Sequence, residues 1–239
     1  MTTAHDPMKE VISLHGLGFI QVQLQNGQRL HVWHPELPRR HCFEHSAIHN
    51  HRFSFESQVL IGHQINISYQ AADASEETAT HRLYLHEGPR TANGGRPWQP
   101  NAAVLMQEGN HQTIPAGMAY RMHAYDFHRT EPGGDGRVAT LMTKLYEGRY
   151  GAMSSCVIGV EPDTDFDRFQ LSPAELWTYV IEVLGAERLV VGSTGTTGDK
   201  YRAELYDEAW EKARGMGYPN VTEALLALSA LKRTEASQP

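Results

Sequence analysis

Histidine is where this sequence offers chemistry. Of 14 histidines in 239 residues, seven fall between His31 and His63. The segment HSAIHNHRFSFESQVLIG (45–62) sets His49 and His51 two residues apart. In an extended chain, residues i and i+2 point to the same side, about 6.5–7 Å apart. Two imidazoles at that spacing can converge on one transition-metal ion, with bonds of about 2.0–2.1 Å to each nitrogen. Glu56 follows in the same run as a carboxylate that could add an oxygen ligand. A further histidine has to come from elsewhere in the chain.

Strands must position such a site, and residues 11 to 162 read as a series of them. FIQVQL alternates apolar and polar residues, and the turn signal NGQ (26–28) precedes RLHVWH. SQVLIGHQINISYQ (57–70) is β-rich, and HRLYLHEG (81–88) alternates Leu83 and Leu85 with polar neighbours. EGPRTANGGRPWQPN (87–101) has the glycine and proline content of a long loop. AAVLMQEG, HQTIPAGMAYRMHAYDFHRT, RVATLMTKLYEG and SSCVIGVE supply the remaining strands, with EPGGDG as a hairpin tip. Many strands at close spacing and almost no helix signal give a β-barrel or sandwich. The pattern changes near residue 163. SPAELWTYVIEVLG carries a capping box, with Ser172 as N-cap, Pro173 at the first helical position and Glu175 three residues after the cap. DKYRAELYDEAWEKARG (199–215) and NVTEALLALSALKR (220–233) read as two further helices. The organisation expected is an all-β body over 1–162 and a helical C-terminal extension over 163–239.

The histidine segment also resembles a known pattern. HNHRFSFE followed by Gly62 is similar to the first motif of the cupin superfamily: His-x-His, three or four residues, Glu, then about six residues to Gly. Four residues separate His51 from Glu56, and five separate Glu56 from Gly62. GNHQTIPAGMAY (109–120) resembles the second motif, Gly, five residues, Pro-x-Gly, two residues, His. Gly109, Pro115 and Gly117 fall in place, and Tyr120 occupies the histidine position. His128 follows in YRMHAYDFHRT, after the turn-like HAYD, and is favoured as the third histidine over His123 and His111.

The resemblance spans roughly residues 15 to 150. It implies an antiparallel β-barrel of the jelly-roll type with a metal in its mouth, held by His49, His51 and His128 with Glu56 as a fourth ligand. Alternation from His51 places Ser57, not Glu56, on the metal side, so Glu56 binds only across a bulge or turn. Cupins similar to cysteine dioxygenase use three histidines alone. The implied cofactor is one divalent transition metal, with Fe(II) favoured over Zn, Ni or Mn. Tyr120 and Arg52, in or beside the motifs, are the candidate catalytic side chains. The activity implied is a metal-dependent oxygenase acting on a small molecule. A cupin isomerase, epimerase or lyase, and a non-enzymatic small-molecule-binding cupin, are the competing readings. The family commonly pairs its subunits, so a homodimer is expected.

Composition narrows the partners. A formal charge of -7 argues against nucleic acid. Two cysteines make no disulfide framework, and a reducing compartment is expected. MTTAHDPMKE shows no basic region followed by an apolar stretch, and no apolar run nears the roughly 20 residues of a membrane span. A cytoplasmic protein with no membrane partner is therefore expected. GSTGTTGDK (192–200) lacks phosphate-loop spacing, and DTDFDR (163–168) has Arg168 where a calcium loop needs glycine.

Overall fold

Alternating apolar residues, many of them β-branched or aromatic, build eleven strands in the computed structural model, which describes residues 12–24 and 27–184. The chain divides into two compact units, Met1–Val183 and Leu184–Pro239. The helices expected over 199–215 and 220–233 lie outside the described residues, as does GSTGTTGDK.

The strands are β1 (Ile12–His15), β2 (Phe19–Gln23), β3 (Gln28–Trp33), β4 (Phe53–Ile61), β5 (His63–Asp73) and β6 (His81–His86). They continue as β7 (Gln99–Pro115), β8 (Ala119–Met122), β9 (Phe127–Pro132), β10 (Val138–Glu147) and β11 (Ala152–Val157). One antiparallel sheet runs β1-β2-β3-β10-β4-β8 and the other β11-β6-β7-β5-β9. The expected barrel is thus an open sandwich. Gly62, at φ 70°, turns the chain from β4 in one sheet into β5 in the other, so these consecutive strands do not pair. A Cβ there would lie 2.6 Å from the Arg137 carbonyl oxygen, a clash only glycine avoids.

Two helices appear among the described residues: α1 (Phe43–Ser46) and α2 (Pro173–Leu184). The capping box read in the sequence starts α2. Ser172 Oγ accepts from the Glu175 N–H at 3.3 Å, and the Glu175 carboxylate accepts from the Ser172 N–H at 2.7 Å. Leu176, Trp177, Val180 and Val183 of α2 are buried.

β2 and β3 show how the layers divide their work. Ile20, Val22, Leu30 and Val32 are fully buried on one face. Phe19, Gln21, Arg29, His31 and Trp33, at the opposite parity, line a cavity of about 270 Å³ between the sheets. β4 and β10 add Phe53, Phe55, Ser57 and Met142, and β5 and β9 add Gln64, His128 and Thr130. The polar stripe of these strands therefore faces a cavity rather than solvent.

Candidate metal centre

His49 and His51 precede β4 rather than lying in it. His49 forms isolated antiparallel bridges with His128 of β9 and with Ser154 of β11. Its N–H donates to the His128 carbonyl at 3.0 Å, and the His128 N–H donates back to the His49 carbonyl at 2.9 Å. Such a mutually bonded pair carries its side chains on one face. The turn expected at HAYD then fixes the third residue. Tyr125 adopts φ 70° and its N–H donates to the His51 carbonyl at 2.7 Å, tying the turn before β9 to the His-x-His segment.

Three imidazoles meet as a result. Ring centroids lie 4.9 Å apart for His49 and His51, 4.6 Å for His49 and His128, and 5.1 Å for His51 and His128. One ligand nitrogen from each lies within 4.8 Å of the others. Two rings are aimed by the main chain: His49 Nδ1 is 2.9 Å from the Ala47 carbonyl and His128 Nδ1 is 3.1 Å from the Asp126 carbonyl. A carbonyl only accepts, so Nδ1 carries the proton in both and Nε2 keeps its lone pair. His51 is held between Phe53 and Phe55, at 5.1 and 5.3 Å. Burial, more than any neighbouring charge, lowers the pKa of all three, and His128 also depresses His49. Neutral imidazoles with oriented lone pairs are the protonation state and geometry that a divalent transition metal requires. The residues present fit such an ion.

Glu56 does not join them. β4 alternates from Phe53 to Val59, turning Phe53, Phe55 and Ser57 inward and Glu56 outward. Two irregularities interrupt the ladder with β10, one at Leu60 beyond this stretch and one on β10 between Lys144 and Tyr146, and neither changes the parity of β4 from Phe53 to Ser57. The Glu56 carboxylate instead accepts from Arg121 Nε at 2.9 Å on the surface. His111 is exposed and 2.7 Å from Glu108, and His123 is exposed in the turn, so His128 alone of the three candidates enters the cluster.

Tyr120 and Arg52 both line the cavity. Tyr120 lies opposite Ser57 in the β4–β8 ladder, and burial raises its pKa. Arg52 forms an ion pair with Glu147 at 2.7 Å. Sequence reasoning missed His15, His31 and Gln64, which line the same cavity. His31 Nε2 and Gln64 Oε1 are buried with no hydrogen-bond partner among the described residues. The signal for His15 and His31 was the parity they share with Phe19 and Trp33 in paired strands, whereas Gln64 comes from the other sheet.

No family model matches this chain, and no curated protein matches it. Among solved structures, the chain is similar to a hydroquinone 1,2-dioxygenase, PnpCD, in complex with Cd2+ and 4-hydroxybenzonitrile. The two are 12% identical with a TM-score of 0.22, over 68% of this chain and 81% of that one. A likeness that distant carries no functional argument, and the function has to be argued from the site. Among the described residues, no helix is long and apolar enough to cross a membrane.

Proposed function

We propose that this chain is a mononuclear metal protein with a cupin-like site, holding its ion through His49, His51 and His128, and that it acts as an Fe(II)-dependent oxygenase on a small molecule. The observation that carries the reading is the meeting of three neutral imidazoles in one cavity, two with Nε2 freed by backbone carbonyls. Three protein ligands leave exchangeable positions on an octahedral or tetrahedral ion. With a metal bound, the site supplies a Lewis acid and, with Fe(II), the capacity to activate dioxygen.

The chain's own residues would do the rest. Phe53, Phe55 and Trp33 restrict water around the triad. The Tyr120 hydroxyl, buried beside Ser57, is a positioned hydrogen-bond donor for substrate. His31 Nε2 and Gln64 Oε1 offer unmet hydrogen-bonding capacity to the same molecule.

Metal analysis of freshly purified protein tests the first half of the proposal. One equivalent of iron is expected, and a metal-free protein that takes up no ion on reconstitution overturns it. Oxygen consumption by the iron-loaded protein across small thiols, keto acids and catechols tests the second half. Anaerobic isomerisation or cleavage of one of these, without oxygen uptake, would replace oxygenase with isomerase or lyase.

A further inference from the structure

His86 and Ser154 form a hydrogen-bonded pair that the metal-centre reading leaves unused. In the β6–β11 ladder His86 lies opposite Ala152 and Ser154 opposite Tyr84, so the two are diagonal neighbours on one face. Ser154 Oγ is 2.9 Å from His86 Nε2, and His86 Nδ1 is 3.2 Å from the Pro97 carbonyl. A carbonyl only accepts, so Nδ1 carries the proton and Nε2 accepts from the serine hydroxyl. The Trp98 ring packs edge-on to this imidazole, 4.9 Å from it and at 86°. A hydroxyl, a base and an acceptor that orients the base are thus linked in series, which is the arrangement that activates a serine.

Both side chains line a cavity of about 240 Å³, with Trp98 and Phe166 as apolar wall and Arg40 and Arg96 as cations. Burial takes the His86 pKa down to about 4 despite the hydrogen bond to Pro97, and the charges of Arg40 and Arg96 lower it further. The imidazole is therefore neutral near pH 7, the form that can take up a proton. Its weak basicity keeps the serine protonated until a carbonyl is attacked. The same two cations favour a negative oxygen forming in the cavity.

We propose that Ser154 is a nucleophile, with His86 as its general base, and that it takes the acyl group of a small carboxylic ester bound in this cavity. Ser154 Oγ adds to the ester carbonyl carbon while its proton passes to His86 Nε2. The bond to the alcohol oxygen then breaks, and Nε2 returns the proton to that oxygen. Water adds to the acyl-serine by the same route and releases the acid. This chemistry does not rest on the oxygenase reading, since every group it uses is a side chain outside the histidine triad.

A fluorophosphonate, whose serine adduct does not hydrolyse, tests the nucleophile, and p-nitrophenyl acetate tests the turnover. Peptide mapping should find one phosphonyl group on Ser154, in metal-loaded and in chelator-treated protein alike. Release of p-nitrophenolate should be lost in Ser154→Ala and kept in Ser155→Ala, whose hydroxyl instead donates to the Ile48 carbonyl at 3.2 Å. His86→Gln removes the base and should slow labelling of Ser154 about a hundredfold or more. Mapping on unaltered protein stands even if His86→Gln does not fold. An unlabelled Ser154, or labelling at full rate in folded His86→Gln, overturns the proposal. Labelling confined to the metal-loaded form would also overturn it, by making the ion rather than His86 the activator. Iron content and oxygen uptake are read separately, so either reading can fail alone.

Discussion

Two backbone carbonyls decide which nitrogen of His49 and of His128 faces the cavity. Because Ala47 and Asp126 each take the Nδ1 proton, neither ring has to change tautomer to bind an ion through Nε2. Replacing His49 and His51 together with alanine should abolish stoichiometric metal, measured by elemental analysis, while far-ultraviolet circular dichroism stays unchanged. Glu56→Ala should keep a full equivalent, because its carboxylate points to Arg121 on the outside. Loss of metal in that variant would mean the carboxylate reaches inward. Tyr120→Phe removes one hydroxyl from the cavity and no ligand. Turnover should fall about tenfold or more with metal content unchanged, as befits a positioned donor. Unaltered turnover would make Tyr120 a packing residue.

The strand segments were legible because period-two alternation survives folding, and so was α2, whose capping box is a local device. The connection of those strands was harder to read. HNHRF looks like one strand, yet the chain runs irregularly from Asn50 to Arg52, and β4 begins only at Phe53. The glutamate of the first motif pointed to a fourth ligand, but whether a bulge shifts its parity depends on where the β10 partner is irregular, which no local pattern reports. In β2 and β3 the sequence shows which residues share a face but not that the polar face lines a cavity. Gly62 is a position where motif and geometry agree, since a left-handed turn must carry the chain between sheets. Gly62→Ala should cost about 1–3 kcal/mol in urea unfolding, from strained φ and the contact with the Arg137 carbonyl. A neutral substitution would show that the turn relaxes freely.

For the whole molecule, buried histidines set a lower limit on working pH. Burial is the first cause that takes His31 down to about 3 and His86 to about 4. In the unfolded chain both titrate near 6.5, so below that pH the unfolded state gains protons that the folded state refuses. Stability should be complete above about pH 6.5 and fall as pH drops toward 4, by at most about 1.4 kcal/mol per pH unit for each histidine, and by less where solvent screens them. Urea midpoints taken between about pH 7 and 5 check this, and a flat profile would show that these rings stay hydrated. A homodimer remains our proposal for the assembly, because open sheet edges need covering. Light scattering should give twice the chain mass, and a monomeric mass at all concentrations would remove it. The bridge at His49 has a bearing on those edges. β9 and β11 end the five-stranded sheet on opposite sides, and a segment of three residues, Ile48 to Asn50, clasps both. An ion held by His49 and His128 would lock that clasp from the side-chain end. The metal would then guard two raw strand edges as well as any chemistry. Amide exchange at His49, His128 and Ser155 should slow on metal loading, and the stripped protein should become the stickier of the two.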